Sequence, residues 1–193
     1  GKYMLTIAGG LSIHFLIVLP LLFYFLTGIN PKKHYNAMAS ALATAFATSS
    51  SNATLPVTMR CVTQNAGVSN RVGSFVLPMG ATINMDGTAL YECAGVLFIS
   101  QILGIDLTIS MQFTIIITAL LASVGAAGIP SAGLVMIFIV TQAVGFQDAD
   151  VAVIIGTMLA VDRPLDMMRT MVNIFSDSIG ASVIAHSEGE KLY

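Results

Sequence analysis

The chain has 193 residues and a formal net charge of −2; 55% of it is hydrophobic, only 9% is charged, and its mean hydropathy is +0.84. A soluble domain carries roughly 25% charged residues, so these side chains are too few to coat a water-facing surface. A disordered chain, a nucleic-acid binder with its basic stripe and, with two cysteines, a disulfide scaffold are excluded, which leaves an integral membrane protein, expected from the helix-length segments below to be an all-α membrane protein.

Residues 3–31 carry no Asp, Glu, Lys or Arg, more than the about 20 residues a bilayer-crossing helix needs. A transmembrane helix is predicted over 3–30, and the run exceeds the roughly 7–15 apolar residues of a cleaved signal peptide. Residues 35–59 are also uncharged but rich in Ser, Thr and Ala, and Lys32, Lys33, Arg60 and Arg71 lie on the connections around them. The positive-inside rule puts both flanks on the cytoplasmic side, so residues 36–66 must enter and return as a first re-entrant hairpin. A broken transmembrane helix is predicted over 70–104, because Asp86 and Glu92 lie inside it. Residues 108–144 are bounded by Asp106, Asp148 and Asp150 without Lys or Arg, and are read as a second hairpin entering from outside. A last span, 151–187, holds Asp162, Arg163, Asp166, Arg169 and Asp177. The loops 32–35 and 60–71 and the C-terminus are expected in the cytoplasm.

The hairpin tips are alike. One reads Ser49-Ser-Ser-Asn-Ala-Thr-Leu-Pro56, the other Ser123-Val-Gly-Ala-Ala-Gly-Ile-Pro130-Ser-Ala-Gly133. Each precedes a span with charge at mid-depth, Asn84-Met-Asp-Gly-Thr88 and Asp166-Met-Met-Arg-Thr170. Two hairpin-plus-span units entering from opposite faces form an inverted repeat, and interrupted segments at matching positions point to a transporter binding site. Non-helical backbone at membrane depth is tolerated only where protein, ligand or water covers it. Small residues also permit close helix packing, but two matched runs favour the binding reading.

At 100° per residue, Asp162, Asp166, Arg169, Thr170, Asn173 and Asp177 fall within an arc of roughly 100°. Ionisable groups at membrane depth cost at least ~2.5–3.5 kcal/mol each, which marks the stripe as functional. Asp166 suits an ammonium group; the planar fork of Arg169 suits a carboxylate. Asp177 and Asp86, with Asn84 and backbone carbonyls, suit a hard cation such as sodium. Cation and substrate binding are then coupled through charge balance, which favours symport.

These motifs resemble the sodium-coupled glutamate/aspartate transporter family, which includes dicarboxylate and amino acid symporters. The resemblance covers nearly the whole chain and matches it to the sixth to eighth helices and both hairpins of an elevator-type transport domain. It implies that the N-terminal scaffold, a homotrimer interface and a third helix donating sodium ligands lie outside this sequence, so that the chain alone should not transport. Substrate would meet Ser51, Thr88, Ile129, Gly133, Asp166, Arg169, Thr170 and Asn173. One sodium site would comprise Gly80, Asn84, Asn173 and Asp177; a second Asp86 with Asn84; a third Thr82, Met85, Ser123, Val124 and Ala126, mainly through backbone carbonyls. Na+ is the implied coupled ion, with H+ and K+ as further candidates. The implied partners are an acidic amino acid and the lipid bilayer.

Two positions qualify the match. Animal members of the family place Arg directly after the Asp166 position and archaeal members at the Ser49 position; here stand Met167 and Ser49. Arg163, one turn before Met167, is expected to supply the compensating charge, and Pro164 to kink the span. Proton-coupled members carry Glu at the Glu92 position. A carboxyl in apolar surroundings is held more cheaply neutral than charged, so Glu92 is expected to carry a proton with the substrate. His14 is read as a packed, hydrogen-bonded residue. The competing readings are a C4-dicarboxylate symporter, an intramembrane hydrolase using Asp86 and Asp166, and a channel. Neither nucleophile–base pair nor metal motif supports the hydrolase, conductance uncoupled from substrate would mark the channel, and Asp166 favours an amino group over a dicarboxylate.

Overall fold

A computed structural model describes residues 1–126 and 128–193; Ala127, in the expected tip of the second hairpin, lies outside the described residues. Among the described residues the secondary structure is entirely helical. Helix α1 (Lys2–Thr27) is apolar and long enough to cross a bilayer, about 39 Å at 1.5 Å per residue. It loosens into a π turn at His14–Val18, where the Leu19 N–H reaches back to the His14 carbonyl. The cause is local: Pro20 has no N–H to donate into the ladder, and the Tyr35 hydroxyl takes the Phe15 carbonyl instead.

Helix α2 (Pro31–Thr48) starts from Asn30, whose Oδ1 accepts the Lys32 N–H at 3.0 Å, and Pro31 sits where its missing N–H costs nothing. It stops at Ser49, in the left-handed region at φ 52°. Helix α3 (Ser51–Arg60) begins at once, with Ser50 Oγ accepting the Ala53 N–H at 3.1 Å, and runs on as a π turn over Cys61–Asn65. The α2–α3 pair thus starts before the expected hairpin's lower boundary, at residue 31 instead of 36. Helices α4 (Asn70–Ile83) and α5 (Asp86–Leu103) are separated by Asn84 and Met85, whose backbones leave helical geometry. Helix α6 (Ile109–Gly125) and helix α7 (Ala132–Ala143) flank the second tip.

Helix α8 (Asp148–Ser187) is the axis of the molecule. It continues through Pro164 and packs on α1 to α5 and on α7. It is buried on most of its circumference: Met158, Leu165, Val172, Ile174, Phe175 and Ile179 are buried, and so are Asp162, Asp166, Arg169, Asn173 and Asp177 on its polar stripe. Apolar side chains also stand outward: Leu5, Phe25, Ile109 and Val153 are 71–78% exposed. A surface of that kind needs lipid or further protein against it.

The C-terminal tail folds back over the α3–α4 connection. Glu190 accepts the Ser69 N–H at 2.7 Å and the Ser69 hydroxyl at 2.6 Å, Arg71 pairs with Glu188, and the Tyr193 N–H donates to the Ala66 carbonyl. The two Ser69 bonds hold the Glu190 carboxyl below the usual carboxylate range.

Candidate functional site

Both tips converge on the polar stripe of α8. The Gly128 carbonyl accepts the Ser50 hydroxyl at 2.6 Å and the Asn52 N–H at 3.3 Å, so the two tips touch directly. Between them and α8 is a cavity of about 10 Å³ lined by Ser51, Thr88, Ile129, Gly133, Arg169, Thr170 and Asn173, with Ser49, Met85, Ala126, Gly128 and Ala132. Seven of the eight residues expected to meet substrate therefore share one small space. Ile129 lines it while remaining 54% exposed. Asp166, the eighth, lies fully buried behind Arg169 and pairs with it; its Oδ2 accepts the Ser131 N–H at 2.9 Å.

Arg169 is 3% exposed, and its Nη1 is buried without a hydrogen-bond partner among the described residues. The Gly133 backbone lies against that nitrogen, where a Cβ would collide with it. Close approach is what glycine permits. The guanidinium also lies over the Tyr91 ring, 5.0 Å from its centroid. An unpaired charged donor inside a protein costs about 1–3 kcal/mol or more, and a planar anion presented to the fork would remove that cost.

Asn173 joins α8 to the first turn of α5. Its Oδ1 accepts the Gly87 N–H at 2.9 Å, and its Nδ2 donates to Thr88 Oγ1 at 2.9 Å. At the next polar position Asp177 Oδ1 accepts from Asn84 Nδ2 at 2.9 Å, and the same nitrogen reaches Ser176 Oγ at 2.9 Å. The backbone of Gly80 passes so near that a Cβ there would stand 2.6 Å from Asp177 Oδ1. A buried carboxylate beside a backbone too close for any side chain is an arrangement that could take a hard cation, and in this structure the Asn84 amide nitrogen is the carboxylate's side-chain partner. Among the described residues no cluster of three His, Cys, Asp or Glu side chains exists, so the soft-ligand pattern of a transition metal is absent from them.

The other expected ion ligands are less concentrated. Asp86 Oδ2 shares a 2.6 Å hydrogen bond with His14 Nε2. Met85 and Ala126 line the same cavity as the substrate set, and Ser123 is buried. The Thr82 and Ser123 hydroxyls turn back to carbonyls of their own helices, Met79 and Leu120, which leaves backbone carbonyls as their contribution. Val124 is 46% exposed. Glu92 is fully buried, with neither carboxyl oxygen hydrogen-bonded among the described residues. Arg163 is exposed on α8 and makes no ion pair among the described residues; the structure does not bring it to the site.

Tyr91, Ser131 and Gly128 were not singled out as site residues in the sequence, and Asp162 was placed on the functional stripe without a role of its own. Tyr91 follows Thr88 by three positions and so faces the same side of α5, which is a legible signal. The contact between Gly128 and Ser50 is not, because it joins two tips far apart in the chain.

Comparison with known proteins fits this geometry. Residues 1–187 match the sodium:dicarboxylate symporter family. The chain is 53% identical to excitatory amino acid transporter 3 of Mus musculus over 184 residues, covering 95% of the chain and 34% of that protein. An excitatory amino acid transporter of Caenorhabditis elegans is 49% identical over 184 residues, covering 95% and 36%. Excitatory amino acid transporter 1 of Homo sapiens is 49% identical over 190 residues, covering 98% and 34%. The chain spans about a third of the length of these relatives. With its helical architecture and its buried charged stripe, the chain belongs to the sodium:dicarboxylate symporter family and is a membrane protein.

Proposed function

We propose that the complete protein is a sodium-driven symporter of acidic amino acids, L-glutamate or L-aspartate, and that this chain forms its substrate- and ion-binding half. The observation that carries this is the buried Arg169 guanidinium, whose Nη1 has no hydrogen-bond partner among the described residues and borders the cavity between the tips. The side-chain carboxylate of the substrate fits that fork. Asp166 takes the ammonium group, Thr170, Asn173 and Thr88 supply neutral polar groups, and the backbones at Ser51, Ile129 and Gly133 close around the guest. The relatives are named as excitatory amino acid transporters, which supports an amino acid over a plain dicarboxylate.

A cavity of about 10 Å³ holds one water at most, so an amino acid enters only when the tips part. In this reading α2–α3 and α6–α7 are re-entrant hairpins of an inverted repeat, belonging to a domain that moves as an elevator within a homotrimer. Sodium is held by Asp177 with Gly80, Asn84 and Asn173; by Asp86 with Asn84; and by carbonyls of Thr82, Met85, Ser123, Val124 and Ala126. Bound cations neutralise Asp177 and Asp86, so that substrate and ions bind together. A proton on Glu92 removes the cost of an unpaired buried charge and travels with the substrate, with K+ as the candidate returning ion. Arg163 lends long-range positive charge from the surface of α8. The loops 32–35 and 60–71 and the clasped C-terminus face the cytoplasm.

The test is uptake into proteoliposomes holding the complete protein. Sodium-gradient-driven accumulation of L-aspartate or L-glutamate in excess of succinate supports the reading. Preference for succinate supports the dicarboxylate alternative and removes the role given to Asp166.

A further inference from the structure

Two buried side chains outside the assigned set, Asp162 and Tyr91, form a chain with the half-buried Ser131 that touches Arg169 at one end and Asp166 at the other. Asp162, one turn before Asp166 on α8, is 1% exposed. Its Oδ1 accepts the Tyr91 hydroxyl at 2.7 Å, and its Oδ2 accepts the Ser131 hydroxyl at 3.3 Å. Tyr91 is the ring beneath the Arg169 guanidinium. Ser131 is the turn residue before α7; it holds a left-handed backbone at φ 59° and donates its own N–H to Asp166.

A carboxylate is an acceptor with two oxygens, and here each oxygen holds a donor from a different element. One bond sets the height and tilt of the ring on which the guanidinium rests. The other pins a turn whose backbone strain needs an external tie, since a non-glycine residue in the left-handed region costs of order 1–3 kcal/mol. The Ser131 hydroxyl makes no other hydrogen bond among the described residues, and the Tyr91 hydroxyl has only the Tyr3 hydroxyl beside it as a further neighbour.

We propose that Asp162 is a positioning residue of the substrate site, acting through Tyr91 on the Arg169 fork and through Ser131 on closure of the α6–α7 tip. The inference rests on the acidic-amino-acid reading above for its first branch only. A carboxylate that merely joined helices would affect stability without altering which ligands the site prefers. Asp162 instead couples two properties: discrimination of a carboxylate from its amide, through Arg169, and retention of the tip, through Ser131.

The experiment uses the complete protein in lipid nanodiscs with two readouts. Amide hydrogen exchange over residues 128–134, measured in sodium without substrate, reads the tip. The ratio of L-aspartate to L-asparagine affinity reads the fork. Asp162→Asn and Ser131→Ala are expected to raise tip exchange about tenfold, the scale of one hydrogen bond to a charged group, whereas Tyr91→Phe leaves it unchanged. Tyr91→Phe and Asp162→Asn are each expected to lower the aspartate/asparagine ratio about tenfold, with no further fall in the double variant because both act along one path. Tyr91→Phe and Ser131→Ala each remove a single hydroxyl, so the inference stays testable if Asp162→Asn does not fold. Unchanged tip exchange in Ser131→Ala, an unchanged ratio in Tyr91→Phe, or full additivity in the double variant overturns it. A parent protein that does not distinguish aspartate from asparagine refutes the acidic-substrate reading instead, and tip exchange then decides this inference alone.

Discussion

Replacing Gly80 with alanine is the sharpest probe of the ion site. The new Cβ would lie 2.6 Å from Asp177 Oδ1, 2.8 Å from its Cγ and 3.2 Å from its Cβ. To reach the 3.4 Å of ordinary contact, the carboxylate must retreat by about 0.8 Å, a typical overpacking displacement. It cannot simply swing its far end, because its Cβ is crowded as well and Asn84 Nδ2 holds Oδ1 at 2.9 Å. The retreat therefore breaks the Asn84 bond, about 1.5–3 kcal/mol for a hydrogen bond to a charged group. Ten- to hundredfold weaker sodium dependence follows, roughly tenfold per 1.4 kcal/mol. The assay is substrate binding by the complete protein across a sodium titration: the half-saturating sodium concentration should rise by at least about tenfold, while binding at saturating sodium returns toward the parent level. An unchanged sodium titration in a folded Gly80→Ala protein would refute the assignment of Asp177 and Gly80 to a cation site.

Arg169→Lys exchanges a planar fork resting on Tyr91 for a point charge; affinity for L-aspartate should fall about tenfold or more, and unchanged affinity in equilibrium binding would remove the bidentate role. Glu92→Gln should leave sodium-driven uptake without acidification of the vesicle interior, read by a trapped pH dye, whereas persistent acidification would count against proton carriage at Glu92. The Glu190 clasp is pH-dependent with a definite sign. Its carboxyl is held lower in the folded protein than in a free chain, so its contribution is complete above the ordinary glutamate value of about 4.3 and is lost as pH falls through the depressed folded value. Proteolysis of the tail should accelerate in that acid window, and Glu190→Gln should show the acid rate at neutral pH; a pH-independent rate in the parent protein would contradict the clasp.

What could be read from the sequence was what obeys local or periodic rules. Charge-free stretches and helical spacing follow directly from the order of residues, so the all-helical character and the shared face of Asp166, Arg169, Asn173 and Asp177 were legible. The family could also be read, because Asn84-Met-Asp-Gly-Thr88 and Asp166-Met-Met-Arg-Thr170 are short contiguous motifs. Partnerships across the fold were not legible. Asp86 meets His14, 72 positions away, and Tyr91 meets Asp162, 71 positions away; only packing brings them together. The π turn in α1 escaped notice because it is set by carbonyl accounting around Pro20, which leaves no trace in hydropathy. Arg163 shows where spacing alone stops short. Its spacing from Met167 suggested a compensating charge in the site, but spacing does not fix side-chain direction, and the side chain is exposed.

The most direct measurement is calorimetric binding of L-aspartate and L-asparagine to the complete protein in saturating sodium. The two ligands share size and backbone groups and differ in offering Arg169 a two-oxygen carboxylate or a neutral carboxamide with a single acceptor oxygen. A site built to pair a buried guanidinium should favour aspartate by about a hundredfold or more, the scale of a desolvated charge-assisted pair. Equal affinities would mean that Arg169 does not face the side-chain carboxylate of the ligand, and the account would be wrong at its centre.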